Sequence, residues 1–288
     1  MTSEHRTLIS APDLLTLVQQ RAPLVLLDCR FDLADPSAGE RAYAAGHLPG
    51  AHYLHLDRDL ADAKVDAQGR FRGRHPLPPP QRFAALAGAL GITPATQVVV
   101  YDAQGGMFAA RAWWMLRWIG HRAVAVLDGG LPAWQAAGGP MDQAVPARVE
   151  AAAPYPASTD AMPTLDADAL QQRLGAVTLI DARAPERYRG EAEPLDKQAG
   201  HIPGALNRFF QLNLQPDGRF KQPGQLRAEF VPLLGTTPPA EVVHQCGSGA
   251  TACHNILAME HAGLAGSRLY PGSWSEWSAD PARPVARG

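Results

Sequence analysis

The sequence predicts an α/β protein made of two tandem copies of one domain, each a mostly parallel sheet flanked by helices. Three observations predict it: an ordered internal repeat, short β-branched apolar runs alternating with helical patterns in each half, and a length of 288 residues, enough for two domains that each bury a core. A hydrophobic fraction of 46% against 19% charged residues describes a folded globular chain and excludes a disordered one.

The elements follow in order. Ser10 and Asp13 form a capping-box start for a helix whose pattern runs through Leu14 to Gln20. Leu24 to Arg30 (LVLLDCR) is an apolar strand ending in an acid and an arginine, and it returns as Val177 to Arg183 (VTLIDAR). Ala45-Gly-His-Leu-Pro-Gly-Ala51 returns as Ala199-Gly-His-Ile-Pro-Gly-Ala205, and Gly69-Arg-Phe71 as Gly218-Arg-Phe220. The strand Val98-Val-Val-Tyr-Asp102 is echoed by Val242-Val-His-Gln-Cys246, and a helical pattern over Ala109 to Ile119 follows the first of these. Each half closes on a glycine turn and a tryptophan, Gly129-Gly130 to Trp134 and Pro271-Gly272 to Trp277. One order holds throughout, so the repeat is a duplication. It divides the chain into a first domain over 1–140, a Pro- and Ala-rich linker over 141–163 and a second domain over 164–288.

Charge and composition narrow the function. The net charge is -2 with both signs dispersed, and no basic patch with interleaved aromatics marks a nucleic-acid surface. The first ten residues lack the apolar core of a secretory signal, and no apolar run is long enough to span a bilayer, so a cytoplasmic protein without membrane or nucleic-acid partners is expected. Three cysteines are too few for a disulfide scaffold, and none has a CxxC or His neighbour at zinc spacing, so neither metal nor organic cofactor is expected.

Cys246 has the context of a nucleophile. It follows the strand Glu241–Gln245 and opens Gly247-Ser248-Gly249-Ala250-Thr251-Ala252, after which a helical pattern runs through Ala262. Glycines let successive backbone N–H groups converge, and the helix dipole adds partial positive charge; both favour a thiolate or a persulfide anion. A lone Cys-Gly would read better as a buried strand end in a tight turn. The duplication argues otherwise, because the equivalent position in the first half is Asp102, with Gln104-Gly105-Gly106 after it. One copy keeps a thiol and the other does not. Phosphatases of the Cys-x5-Arg type also use such a loop, but they need an arginine where Ala252 stands.

Cys246-Gly-Ser-Gly-Ala-Thr-Ala-Cys253 resembles the active loop of the 3-mercaptopyruvate sulfurtransferases, whose usual form has Val where Ala250 stands; thiosulfate sulfurtransferases typically carry Arg-Lys in place of Gly247-Ser248. The paired GHxPGA motifs, the DxR strand ends and Gly272-Ser-Trp-Ser-Glu-Trp277 resemble the same rhodanese superfamily, from about Leu8 to Trp277. The resemblance implies two rhodanese-like domains, the first inactive and the second catalytic. It implies sulfur transfer through a Cys246 persulfide cradled by Gly247, Gly249, Ala250 and Thr251. Arg187 falls where the family places an arginine for the anionic end of the sulfur donor. Asp57 and His75 match an Asp and a His that form a Ser-His-Asp-like set with the loop serine, here Ser248. The family's usual second arginine is absent: Glu193-Pro194 is followed by Leu195, with Lys197 nearby. Leu195 removes one expected carboxylate contact, but Ser248, His75 and Asp57 together favour mercaptopyruvate as the expected donor, with thiosulfate as the alternative, and the expected acceptor is cyanide or a thiol, including one on a thioredoxin-like partner. A non-catalytic persulfide carrier is the reading from a different class.

Other residues read as structure. His47 and His201 recur in both halves, including the half without a thiol, and Arg30 and Arg183 are expected to pair with neighbouring acids. Cys253 lies on the helix after the loop and Cys29 faces Ala182 in the repeat, so both are expected to pack. Trp113, Trp114 and Trp118 share one helix and are expected to fill a core or a domain interface.

Overall fold

The computed structural model describes residues 4–149, 152–158 and 162–288. It consists of two compact units, each an all-parallel sheet with helices. Unit 1 comprises Met1–Ala61, Pro78–Ala161 and Pro216–Phe220; unit 2 comprises Asp62–Leu77, Met162–Gln215 and Lys221–Gly288. The two Gly-Arg-Phe segments of the repeat are thus each counted with the unit built mainly from the other repeat.

Unit 1 contains strands β1 (Leu8–Ile9), β2 (Leu24–Asp28), β3 (His52–Tyr53), β4 (Gln97–Tyr101) and β5 (Val124–Leu127), in the order β1-β5-β4-β2-β3. Its helices are α1 (Ala11–Gln19), α2 (Ala38–Ala45), α3 (Pro80–Ala89), α4 (Ala109–Trp118) and α5 (Gly130–Ala136). The central strands read LVLLD, QVVVY and VAVL, the near-continuous apolar runs that a parallel sheet covered on both faces requires. At the start of α1 the Ser10 hydroxyl accepts from Asp13 N–H at 3.2 Å, and the helix buries Ala11, Leu14 and Leu17 along one stripe. Trp113, Trp114 and Trp118 on α4 are all buried, with the last two rings stacked at 5.8 Å.

Unit 2 contains β6 (Thr178–Asp181), β7 (Leu206–Asn207), β8 (Val242–Gln245) and β9 (Arg268–Leu269), in the order β7-β6-β8-β9. Its helices are α6 (Ala167–Gln172), α7 (Pro185–Arg189), α8 (Pro223–Leu234), α9 (Ala250–His261) and α10 (Ser273–Trp277). Thr164 forms a single parallel bridge to Leu269, the place that β1 takes beside β5 in unit 1.

The strands are shorter than the apolar runs suggest, because side chains cap them. Cys29 and Ala182 still donate to Tyr101 O and Gln245 O at 2.8 and 2.9 Å, and the backbone then turns away as Arg30 N–H donates to Asp28 Oδ1 at 3.0 Å and Arg183 N–H to Asp181 Oδ1 at 2.9 Å. Glu241 lies in a 3-10 turn over Pro239–Glu241, and β8 begins one residue later. The two closing tryptophans are equivalent anchors: both are fully buried, and each indole N–H donates at 2.8 Å to a carbonyl a few residues on, Trp134 to Pro140 and Trp277 to Pro284. The segment expected as a linker, 141–163, hydrogen-bonds along unit 1: Asp142 bridges His47, and Val149, Tyr155 and Ser158 donate backbone bonds to Ala89, Ala84 and Ile119. Residues 150–151 and 159–161 of it lie outside the described residues. Among the described residues no helix is long and apolar enough to cross a membrane.

Candidate active site

In open parallel sheets, binding sites form beyond the carboxyl ends of the strands. In unit 2 that position belongs to the loop from β8 to α9. Cys246 is 2% exposed, and its Sγ accepts from Gly249 N–H at 3.1 Å. Gly249 takes a left-handed conformation (φ 82°), which turns its N–H back toward the sulfur, and α9 starts at Ala250. Three further bonds fix the loop. Cys246 N–H donates to Ser273 Oγ at 3.1 Å, Trp274 N–H to Cys246 O at 3.0 Å and Ser275 N–H to Gly247 O at 2.9 Å. Ser273 itself is left-handed (φ 54°), a strained position for a residue with a Cβ. Its hydroxyl, donating to Tyr270 O at 3.0 Å, bridges the α10 turn to the cysteine backbone.

The corresponding loop of unit 1 shows what the cradle does when no thiol is present. Asp102 is fully buried, and its carboxylate accepts four backbone N–H bonds: from Gln104 and Gly106 on Oδ1 at 2.8 and 2.9 Å, and from Phe108 and Ala109 on Oδ2 at 2.9 and 3.0 Å. The loop is an anion nest filled by its own first side chain.

Ser248 and His75, 173 residues apart in sequence, meet in unit 2: Ser248 Oγ lies 2.7 Å from His75 Nδ1, and both residues are buried. His75 arrives from the short segment Asp62–Leu77 of the first repeat. Asp57 belongs to unit 1, where it is half-buried after β3 and its backbone N–H donates to His55 Nδ1 at 3.1 Å. Thr251 lies in the first turn of α9, 9% exposed, and Ala250 before it is 6% exposed.

Arg187, on the short helix α7, is held in a chain of alternating charge. Arg183 takes Asp181 and reaches Glu193 Oε2 at 3.4 Å; Glu193 Oε1 takes Arg187 Nη2 at 2.6 Å; Asp196 lies 3.5 Å from the same nitrogen and also pairs with Arg74. The buried Arg187 Nε–H makes no hydrogen bond to the described residues. Burial pushes the Asp196 carboxyl above its ordinary range against the pull of the Arg74 guanidinium. Leu195, at the position where a second arginine is expected, is exposed, as is Lys197.

Arg74, Asp196 and Ser273 escaped the sequence reading, and Glu193 was noted only as part of the Glu-Pro pattern. Only Ser273 left a signal, in the replacement of the Gly129-Gly130 pair by Gly272-Ser273. The residues read as structural have structural partners. His47 and His201 stack on Tyr43 and Tyr188 at 3.9 Å, and each Nδ1 lies 2.9 Å from that tyrosine's carbonyl oxygen. Cys253 is fully buried and donates to Gly249 O at 3.2 Å. Burial, with Asp28, Asp102 and Asp59 nearby, pushes the Cys29 thiol far up, so it stays protonated. His244 on β8, two residues before Cys246, is driven down to about 3 by burial and is therefore neutral at ordinary pH.

Two parallel α/β units of one design, one with a cysteine at the head of its anion loop, define a tandem-domain protein of the rhodanese-like class. The model of the rhodanese-like domain matches residues 10–137 and 166–280, and the chain belongs to that family. It is 48% identical, over 97% of its length and 100% of the other's, to a Pseudomonas aeruginosa protein named as a probable 3-mercaptopyruvate sulfurtransferase. It is 36% identical to the thiosulfate sulfurtransferase of the same species, over 88% of this chain and 90% of that one. Among solved structures, the 3-mercaptopyruvate sulfurtransferase of Leishmania major superposes with a TM-score of 0.81 at 28% identity, covering 95% of this chain and 74% of the other.

Proposed function

We propose that the protein is a sulfurtransferase that takes sulfur from 3-mercaptopyruvate onto Cys246 and passes it to a thiol or cyanide. The observation that carries this reading is the position of Cys246: a buried sulfur at the head of a glycine loop, on a backbone N–H, before a 12-residue helix. The Cys246 thiolate attacks the donor's sulfur. The Cys246–sulfur bond forms as the donor's carbon–sulfur bond breaks, and the electron pair leaves on carbon as the pyruvate enolate. The donor's own thiol proton, relayed to that carbon, completes pyruvate and leaves a Cys246 persulfide anion among the N–H groups of 247–251. The acceptor thiolate then takes the outer sulfur and releases the Cys246 thiolate.

Ser248 and His75 support mercaptopyruvate over thiosulfate. Their 2.7 Å contact is a path for the proton that the enolate needs and that departing sulfite does not. Asp57 enters the reading only through the match to the family's Ser-His-Asp-like set. Arg187 binds the donor's anionic end, since its Nη1 and Nη2 lie 3.5 and 3.8 Å from where a Cβ on Gly247 would stand, beside the cysteine loop. Thiosulfate is the second donor, favoured by the relative of that name. In domain terms, 1–140 is the inactive copy, 141–163 the linker and 164–288 the catalytic copy. Three free thiols suit a reducing compartment, hence the cytoplasm, where a thioredoxin-like protein is an available acceptor.

A side-by-side measurement of kcat/KM with mercaptopyruvate and with thiosulfate tests the reading. A higher value for mercaptopyruvate is expected. An outright preference for thiosulfate overturns the donor assignment, and a single sulfur load without multiple turnover makes the protein a persulfide carrier.

A further inference from the structure

The donor is one of two substrates that must reach Cys246; the acceptor is the other. Unit 2 holds a cavity of 320 Å³ whose walls include Phe71, Arg74, Leu195, Lys197, Ser275 and Ser278. Neither Arg187 nor the cysteine loop lines it, so it is not the place where the donor's anionic end meets Arg187.

Two of its walls nevertheless touch that loop. Ser275 N–H donates to Gly247 O at 2.9 Å, and a Cβ placed on Gly247 would stand 2.7 Å from Arg74 Nη2. Arg74 N–H in turn donates to Ser275 Oγ at 3.0 Å, which locks the two residues together. The cavity therefore lies one layer of side chains away from the residue that follows Cys246.

The polar groups of the wall are not equally free. Arg74 pairs with Asp196, and the Ser275 hydroxyl accepts from Arg74 N–H and donates to Gly272 O. Lys197 is exposed and makes no ion pair among the described residues. On the same cavity Phe71 and Leu195 are 39% and 44% exposed. Apolar walls with one unspent ammonium suit a molecule that has an apolar stem and a carboxylate. The wall of Arg74 and Ser275 sets the length of that molecule. A carboxylate at Lys197 and a sulfur at Cys246 lie on opposite sides of it, a span for an extended thiol and not for a donor whose carboxylate is a few bonds from its sulfur.

We infer that this cavity holds the body of the sulfur acceptor, an extended thiol of short-peptide type whose carboxylate pairs with Lys197 while its sulfur reaches Cys246. This rests on the sulfur-transfer reading. In the transfer the acceptor's thiolate bonds to the outer sulfur as the sulfur–sulfur bond to Cys246 breaks. The electron pair returns to Cys246 as its thiolate, so no oxidant or reductant is consumed.

Ping-pong transfer separates the two substrates, because kcat/KM for each reports its own half-reaction. The test measures acceptor kcat/KM with glutathione (extended and anionic), N-acetylcysteine (short and anionic) and 2-mercaptoethanol (short and neutral). Each is taken as the ratio of variant to unmodified protein, so that intrinsic thiol reactivity cancels. Lys197→Gln is expected to lower the glutathione value about two- to fivefold, the scale of an exposed ion pair. The values for the two short thiols and for mercaptopyruvate should stay unchanged. Lys197→Arg should keep the glutathione value, and Leu195→Asp, which sets an anion in the cavity, should lower it at least as far as Lys197→Gln. Equal losses with glutathione and N-acetylcysteine would reduce the effect to general charge steering, and no loss with any thiol would leave the cavity without a role; either result overturns the acceptor site. If the unmodified protein takes no sulfur from mercaptopyruvate or thiosulfate, the sulfur-transfer reading itself fails; if it turns over and the glutathione ratio stays at one, the acceptor site alone fails.

Discussion

Asp102 and Cys246 stand at the same point of two copies of one loop, and each places its side chain on the loop's backbone N–H groups. The carboxylate accepts four such bonds and the sulfur accepts one, from Gly249. The duplicated domain thus keeps its anion nest in both halves. In the first it is satisfied permanently by Asp102. In the second it offers the Gly249 N–H to the sulfur that the proposed reaction would load.

Asp102→Ala should therefore destabilise unit 1 while sparing chemistry. Removing the carboxylate orphans four N–H groups in a buried loop, a loss of about 2–4 kcal/mol when unsatisfied buried donors cost roughly 1–3 kcal/mol each and the loop relaxes in part. Urea unfolding checks the loss, and Asp102→Asn, which keeps one acceptor oxygen, should fall in between. Turnover per folded molecule should stay close to that of the unmodified protein; a collapse in turnover would give the first loop a direct role.

Ser248→Ala and His75→Ala should each depress mercaptopyruvate turnover more than thiosulfate turnover, because only the enolate needs a proton. General acid–base assistance of this kind is worth about 10²–10⁴ in rate, which sets the expected scale for mercaptopyruvate. Steady-state kinetics with both donors on both variants decides it. Equal losses with the two donors would reduce the 2.7 Å contact to a structural one.

Arg187→Ala should raise KM for either donor by about ten- to a hundredfold, the equivalent of a charge-assisted hydrogen bond worth roughly 1.5–3 kcal/mol. Arg187→Lys should rescue only in part, since a point charge does not reproduce the planar fork that now takes Glu193. Unchanged kinetics in the alanine variant would move the anion contact to another cation.

The parts of this structure that were legible in the sequence are those written locally or written twice. The Ser10 cap, the apolar strands, the GHxPGA turns and the closing tryptophans each depend on neighbours within a few residues, and the repeat showed the last three in duplicate. Cys246 stood out by contrast with Asp102. Arg74 and Asp196 did not, because an ion pair between residues 122 apart leaves no periodicity in either segment. The count of segment Asp62–Leu77 with unit 2 was hidden for the same reason, since contiguous sequence suggests contiguous domains. Strand ends were misplaced by one or two residues where an aspartate side chain, not the hydrophobic pattern, terminates the ladder.

The central claim is that Cys246 carries the transferred sulfur, and intact-mass measurement after brief treatment with mercaptopyruvate tests it most directly. The unmodified protein should gain the mass of one sulfur atom, lost again on adding an acceptor thiol, and peptide mapping should place it on Cys246. Cys246→Ser, folded by circular dichroism, should gain none and turn over no donor. Sulfur found on Cys253 or Cys29, with activity retained in Cys246→Ser, would contradict the account.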